Sequence, residues 1–113
     1  MSHSELEKLC LSLKGTTIDI KWGNDLCFLV GGKMFCVTSL EPPMKVSIKV
    51  PSEEFDELIE RGGIIPAPYM ARKKWIFIEK SSALTQKEWK HYVQQSYDLV
   101  FAKLTKKLKD SIH

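Results

Sequence analysis

The chain has 113 residues, enough for one domain spanning residues 1–113 that buries about 65% of its unfolded surface without metals or disulfides. Hydrophobic and charged fractions of 43% and 27% exclude a disordered or membrane-embedded class. The net charge of +3 is unevenly spread: residues 1–65 hold seven Lys/Arg against ten Asp/Glu, and residues 66–113 hold ten against four. No apolar run approaches the ~18 residues of a membrane span, and the polar, acidic N-terminus is unlike a signal peptide. Three cysteines with no Cys-x-x-Cys spacing predict reduced thiols and a cytoplasmic location.

In chain order, Ser2 or Ser4 caps a first helix with Leu6, Leu9, Leu11 and Leu13 on its apolar side, closed by Lys14-Gly15. Residues 17–22 alternate, placing Ile18, Ile20 and Trp22 on the buried face of a strand. After a turn at Gly23-Asn24-Asp25, two strands meet at Gly31-Gly32, a pair suited to a two-residue hairpin. That register sets Leu29 opposite Met34, Phe28 opposite Phe35, and Cys27 opposite Cys36. The two thiols then read as small apolar side chains, since two ligands alone make a poor zinc site.

Glu41-Pro42-Pro43 marks a turn into a strand over residues 44–50, with Met44, Val46, Ile48 and Val50 inward and Lys45, Ser47 and Lys49 outward. Ser52 is the expected cap of a short helix carrying Phe55, Leu58 and Ile59 inward, ended by Gly62-Gly63. Its carboxylates at positions 53, 54, 56, 57 and 60 have no histidine beside them and read as a solvated face.

The organising stretch is residues 64–78. Pro66 and Pro68 lack amide donors and stiffen the backbone, so a rigid exposed loop should present Tyr69, Met70 and the basic triplet Arg72-Lys73-Lys74. Trp75 then enters a strand that is apolar on both faces and therefore covered on both. Thr85-Gln86-Lys87-Glu88 has capping-box spacing and opens a long helix to about Lys109, with Trp89, Val93, Ser96, Val100 and Leu104 along one side. Its terminal lysines, Lys103, Lys106, Lys107 and Lys109, complement the helix dipole. These elements predict an α+β two-layer domain: a mainly antiparallel sheet of five or six strands, with N-terminal, middle and long C-terminal helices on one face and the other face open.

Catalytic parts are missing. His3, His91 and His113 have no recognisable cysteine or serine partner, Gly31-Gly32-Lys33 is too short for a phosphate loop, and no metal-ligand spacing occurs. No enzyme activity, cofactor or metal is therefore expected. The positive signal is a set of cations near aromatics: Lys33, Lys45, Lys49, Arg72, Lys73 and Lys74, with Tyr69, Trp75 and Phe77. Cations contact phosphates, and exposed aromatics stack on unpaired bases. Trp22, Trp75, Phe77 and Trp89 fit the core better than a stacking surface.

Trp22-Gly23, Gly31-Gly32-Lys33-Met34-Phe35, Ser47-Ile48-Lys49, Pro66-Ala67-Pro68-Tyr69-Met70, Lys74-Trp75 and Ser96 to Val100 occur in the order found in a known family. On these anchors the chain resembles the MmcQ/YjbR family of small bacterial proteins. The resemblance implies a CyaY-like or secretion-chaperone-like α+β fold and a DNA-binding "double wing" arrangement. It nominates Lys33, Lys49 and Lys74 as phosphate contacts, and the surface pattern adds Lys45, Arg72 and Lys73. The expected role is a cytoplasmic module whose partner is nucleic acid, DNA foremost. The alternative is a protein-interaction module or homodimer using the open sheet face around Leu29, Met34 and Cys36.

Overall fold

The computed structural model describes residues 1–112; His113 lies outside the described residues. Six strands form one antiparallel sheet: β1 (Thr16–Lys21), β2 (Asp25–Val30), β3 (Lys33–Ser39), β4 (Val46–Lys49), β5 (Ile64–Pro66) and β6 (Trp75–Ile78). Their spatial order is β1-β2-β3-β4-β6-β5. The helices are α1 (His3–Leu11), α2 (Ser52–Leu58), α3 (Gln86–Ala102) and α4 (Lys106–Ser111). They contribute Leu6, Cys10, Phe55, Leu58, Trp89, Val93 and Val100 to the main core, against Phe28, Phe35, Val46, Ile48, Ile76 and Ile78 of the sheet.

Local chemistry accounts for most boundaries. Ser2 Oγ accepts the Glu5 N–H at 3.1 Å while the Glu5 carboxylate accepts the Ser2 N–H, a complete capping box on α1. Thr85 and Glu88 make the same exchange at the start of α3. Glu88 also pairs with Arg61 at 2.8 Å, and the guanidinium together with the Thr85 N–H holds its carboxyl down to about 2. Pro51, not Ser52, occupies the cap position of α2, and no side chain bonds there. The basic tail is not one helix: α3 stops at Ala102, and Thr105 Oγ accepts the Leu108 N–H to start α4. Leu104, in the break, folds over the hairpin turn. A Cβ on Gly31 would come within 2.7 Å of it, at a φ of +57° that already favours glycine.

The β2–β3 hairpin departs from the expected register. Val30↔Lys33 and Leu29↔Met34 pair as expected, but Phe28 then faces Cys36 and Cys27 faces Val37. Phe35 is the extra residue of a β-bulge, so Phe35 and Cys36 both turn to the helical side. The Phe28–Phe35 and Cys27–Cys36 cross-strand pairs therefore do not form. Phe35 instead meets Tyr97 edge-on, with centroids 5.3 Å apart at 87°. Cys36 neighbours Cys10, and that contact and burial push its thiol well above its ordinary value. All three cysteines are free and buried.

Two further expectations change. The sheet face away from the helices is not open: Ala67 and Met70 of the proline-rich loop pack on Cys27, Leu29, Val37 and Trp75 as a second, smaller core. Trp22 is not core. It is 69% exposed with φ at +53°, beyond the end of β1, and Ile18 and Ile20 are exposed too. Their face of the edge strand points to the helical side, but no helix reaches far enough to cover it. Leu11 likewise points to solvent from α1.

Ser96 stitches the layers. Its side chain is fully buried; its Oγ donates to the Phe35 carbonyl at 2.6 Å and accepts the Lys49 N–H at 2.9 Å. The β3–β4 ladder ends at Cys36↔Ile48, so this hydroxyl takes the place of the next rung. Replacing Ser96 by Ala strands a carbonyl and an N–H in the interior, each costing about 1–3 kcal/mol when unpaired. The Ser96→Ala variant should lose roughly 2 kcal/mol or more of stability in urea unfolding, with native far-UV circular dichroism retained.

Candidate nucleic-acid interface

The proline-rich stretch forms an edge and then a platform. Pro66 sits on edge strand β5, where a missing N–H breaks no inner ladder. Beyond it, Ala67 is buried; its N–H donates to the Trp75 carbonyl at 3.0 Å, and the Trp75 N–H donates back to the Met70 carbonyl at 3.3 Å. The Met70 N–H closes a turn on the Ala67 carbonyl at 3.2 Å, with Pro68 second and Tyr69 third at φ +65°. That is the turn position glycine normally takes; a tyrosine there carries strain of about 1–2 kcal/mol. A 3-10 turn over Ala71–Lys73 follows, capped by Lys74 at φ +64°. The expected rigid loop is present, but it presents Tyr69 and turns Met70 inward.

A cleft of about 900 Å³ opens between this loop, the start of β3, the end of β4 and the C-terminal turn of α3. Six cations line it: Lys33, Lys49, Arg72, Lys73, Lys74 and Lys103. Met34, Met70, Trp75 and Leu104 form its apolar wall, and no carboxylate lines it. Among the described residues the one ion pair is Arg61–Glu88, which is not part of the cleft. Lys74 Nζ lies 4.9 Å from the centre of the Phe55 ring, a cation–π contact that orients the side chain without neutralising it.

Lys49 is the most constrained of the six. It is half-buried, and burial, the contacting Lys103 ammonium and Lys73 beyond it hold its pKa below the ordinary lysine value. Like charges held together away from water repel more strongly than on an open surface. An anion between them would remove that repulsion. The arrangement suits phosphate, which accepts from several ammonium and guanidinium groups at once.

Five of the six cations singled out from the sequence thus line one cleft: Lys33, Lys49, Arg72, Lys73 and Lys74. Lys45 does not. It is exposed at the opposite end of β4, about 13 Å along the strand from Lys49 at ~3.3 Å per residue. Lys103 was not singled out, because a continuous helix assigns it to the dipole. The missed signal is Thr105, a cap residue inside a lysine run, which ends α3 and leaves Lys103 at its C-cap facing Lys49. Trp75 and Phe77 pack in the second cluster rather than serving as exposed stacking surfaces. No group of three or more His, Cys, Asp or Glu that could hold a metal ion occurs among the described residues, and no helix there is long and apolar enough to cross a membrane.

The fold has known counterparts. A Deinococcus radiodurans protein carrying the DUF419 domain superposes with a TM-score of 0.83 at 23% identity, over 96% of this chain and 85% of that one. A Pseudomonas syringae protein superposes with a TM-score of 0.74 at 19% identity, over 88% of this chain and 99% of that one. At these identities the likeness concerns the fold alone. No curated protein matches the chain. The YjbR family model matches residues 11–99, the whole sheet and most of α3, and the chain belongs to the YjbR family.

Proposed function

We propose that this protein binds nucleic acid, DNA in the first instance, without catalysing a reaction, by neutralising backbone phosphates in and around the basic cleft. Six cations on one concave surface with no carboxylate facing them carry this reading. A net charge of only +3 is no obstacle, because no carboxylate lines the cleft and the local field is what an approaching phosphate meets. Buried free thiols suit a reducing, cytoplasmic setting.

A second reading has its own observation. The apolar face first suggested for a protein partner is largely covered, with Leu29 buried in the second core and Cys36 turned to the helical side. Ile18, Ile20 and Trp22 are exposed instead, beside a free strand edge. Two copies of β1 paired antiparallel about Ile20 would set Asp19 of each against Lys21 of the other, a favourable cross-strand match. Light scattering behind size exclusion tests this pairing: a dimer that Ile20→Lys disrupts supports it, and a monomer at all concentrations removes it.

For nucleic acid, about four phosphate contacts give a slope of log K against log salt near −3.6 on duplex, from ~0.9 per contact. Replacing Arg72 and Lys73 together by Ala should weaken binding and flatten the slope by about 2, whereas Lys45→Ala should change neither. Equal effects from both variants would detach binding from the cleft.

Lys49 adds a proton signature. Its pKa is depressed in the free protein, so a phosphate that restores the charged form draws a proton from solution. At about pH 9.5, below the ordinary lysine value of ~10.4, binding should show net proton uptake by calorimetry in buffers of different ionisation heat, and Lys49→Met should abolish it. The sign for folding is opposite to that of a partnered lysine. The Lys49 charge opposes folding below its depressed value, and that opposition fades as pH rises through it, so Lys49→Met should be neutral or stabilising at pH 7.

A further inference from the structure

Tyr69 has no packing partner. Its side chain is 105% exposed, while the residues on either side of its turn, Ala67 and Met70, are tucked into the second core. It also occupies a backbone conformation that a tyrosine adopts only at a cost, φ +65° at the glycine position of a proline turn. The turn is pinned at both ends to Trp75, by the Ala67 N–H and the Met70 carbonyl. The ring is therefore exposed from a rigid base. Arg72 and Lys73, three and four residues on, lie on the cleft wall, and Arg72 is no more than about 10 Å along the chain.

Resting on the nucleic-acid reading above, the geometry points to single-stranded nucleic acid as the ligand, with its phosphates in the cleft and an unpaired base stacked on Tyr69. A base offers its π-face only when unpaired, and a rigid aromatic beside a cationic groove is how sequence-tolerant single-strand binders hold it. The shape of the cleft agrees. Lys49 is half-buried beside the exposed Lys103, where a flexible strand can bring a phosphate to both.

The test uses the full chain with a labelled oligo-dT of about 12 nucleotides, within the ~4–16 spanned by single-strand sites, and a mixed-sequence duplex of equal length. Fluorescence anisotropy at fixed salt should show the single strand preferred. Tyr69→Phe should keep that preference, because the stacking ring remains. Tyr69→Ala and Tyr69→Gly should each weaken single-strand binding roughly tenfold, the loss of one stacked base, and leave duplex binding unchanged. Tyr69→Gly relieves the turn, so its thermal midpoint should equal or exceed that of the unmodified protein; lost binding then cannot be lost folding. Unchanged single-strand affinity in Tyr69→Ala, equal losses on both ligands, or a duplex preference in the unmodified chain would each overturn the assignment of Tyr69 while leaving the cleft as a phosphate site. If neither ligand binds in a salt-dependent way, the nucleic-acid reading fails and this inference fails with it.

Discussion

One buried hydroxyl holds the architecture in register. Ser96 reaches from the middle of α3 to the point where the β3–β4 ladder gives out, accepting from one strand and donating to the other. A sheet can end a ladder inside the core only if the freed groups find partners, because an unpaired buried carbonyl or N–H is costly. Serine fits: it is small enough to lie flat on the sheet and both donates and accepts. The bulge at Phe35 is tied to it, since the carbonyl that Ser96 satisfies belongs to the bulged residue.

The cleft grows from that junction. Past the last β3–β4 pair, the start of β3 and the end of β4 lie beside the last turn of α3, and these three segments carry Lys33, Lys49 and Lys103. The fourth wall is the loop that doubles back to cover the second core, which brings Arg72, Lys73 and Lys74 round. Clustering six cations opposes folding, so the surface is held by packing on both faces of the sheet: the helices on one, Ala67 and Met70 on the other. Stability is spent at this end of the molecule on charge repulsion and on two non-glycine residues with positive φ, Tyr69 and Lys74. Such concentrations of unfavourable geometry and charge are typical where a protein meets a ligand.

Sequence alone determined the α+β class, most of the order of elements and the capping box of α3, because these follow from short-range periodicity and side chains bonding to their own backbone. It also singled out five of the six cleft cations, since charged side chains at turns and strand ends carry their heads to the surface even where their stems are partly covered. Tertiary structure decided the rest. Alternation along β3 reads as an unbroken strand, and only Phe35 packing on Tyr97, with Ser96 awaiting its carbonyl, puts a bulge there. Periodicity likewise gave Trp22 a buried face, but a face is buried only if another element reaches it, and none covers Ile18, Ile20 or Trp22. Whether the second sheet face was open, and whether Lys103 belonged to a helix end or to a cleft, depended on where a loop returned and where a helix broke. The first is a contact between residues distant along the chain, which no local pattern encodes; the second turns on Thr105, a local cap masked by the lysine run around it.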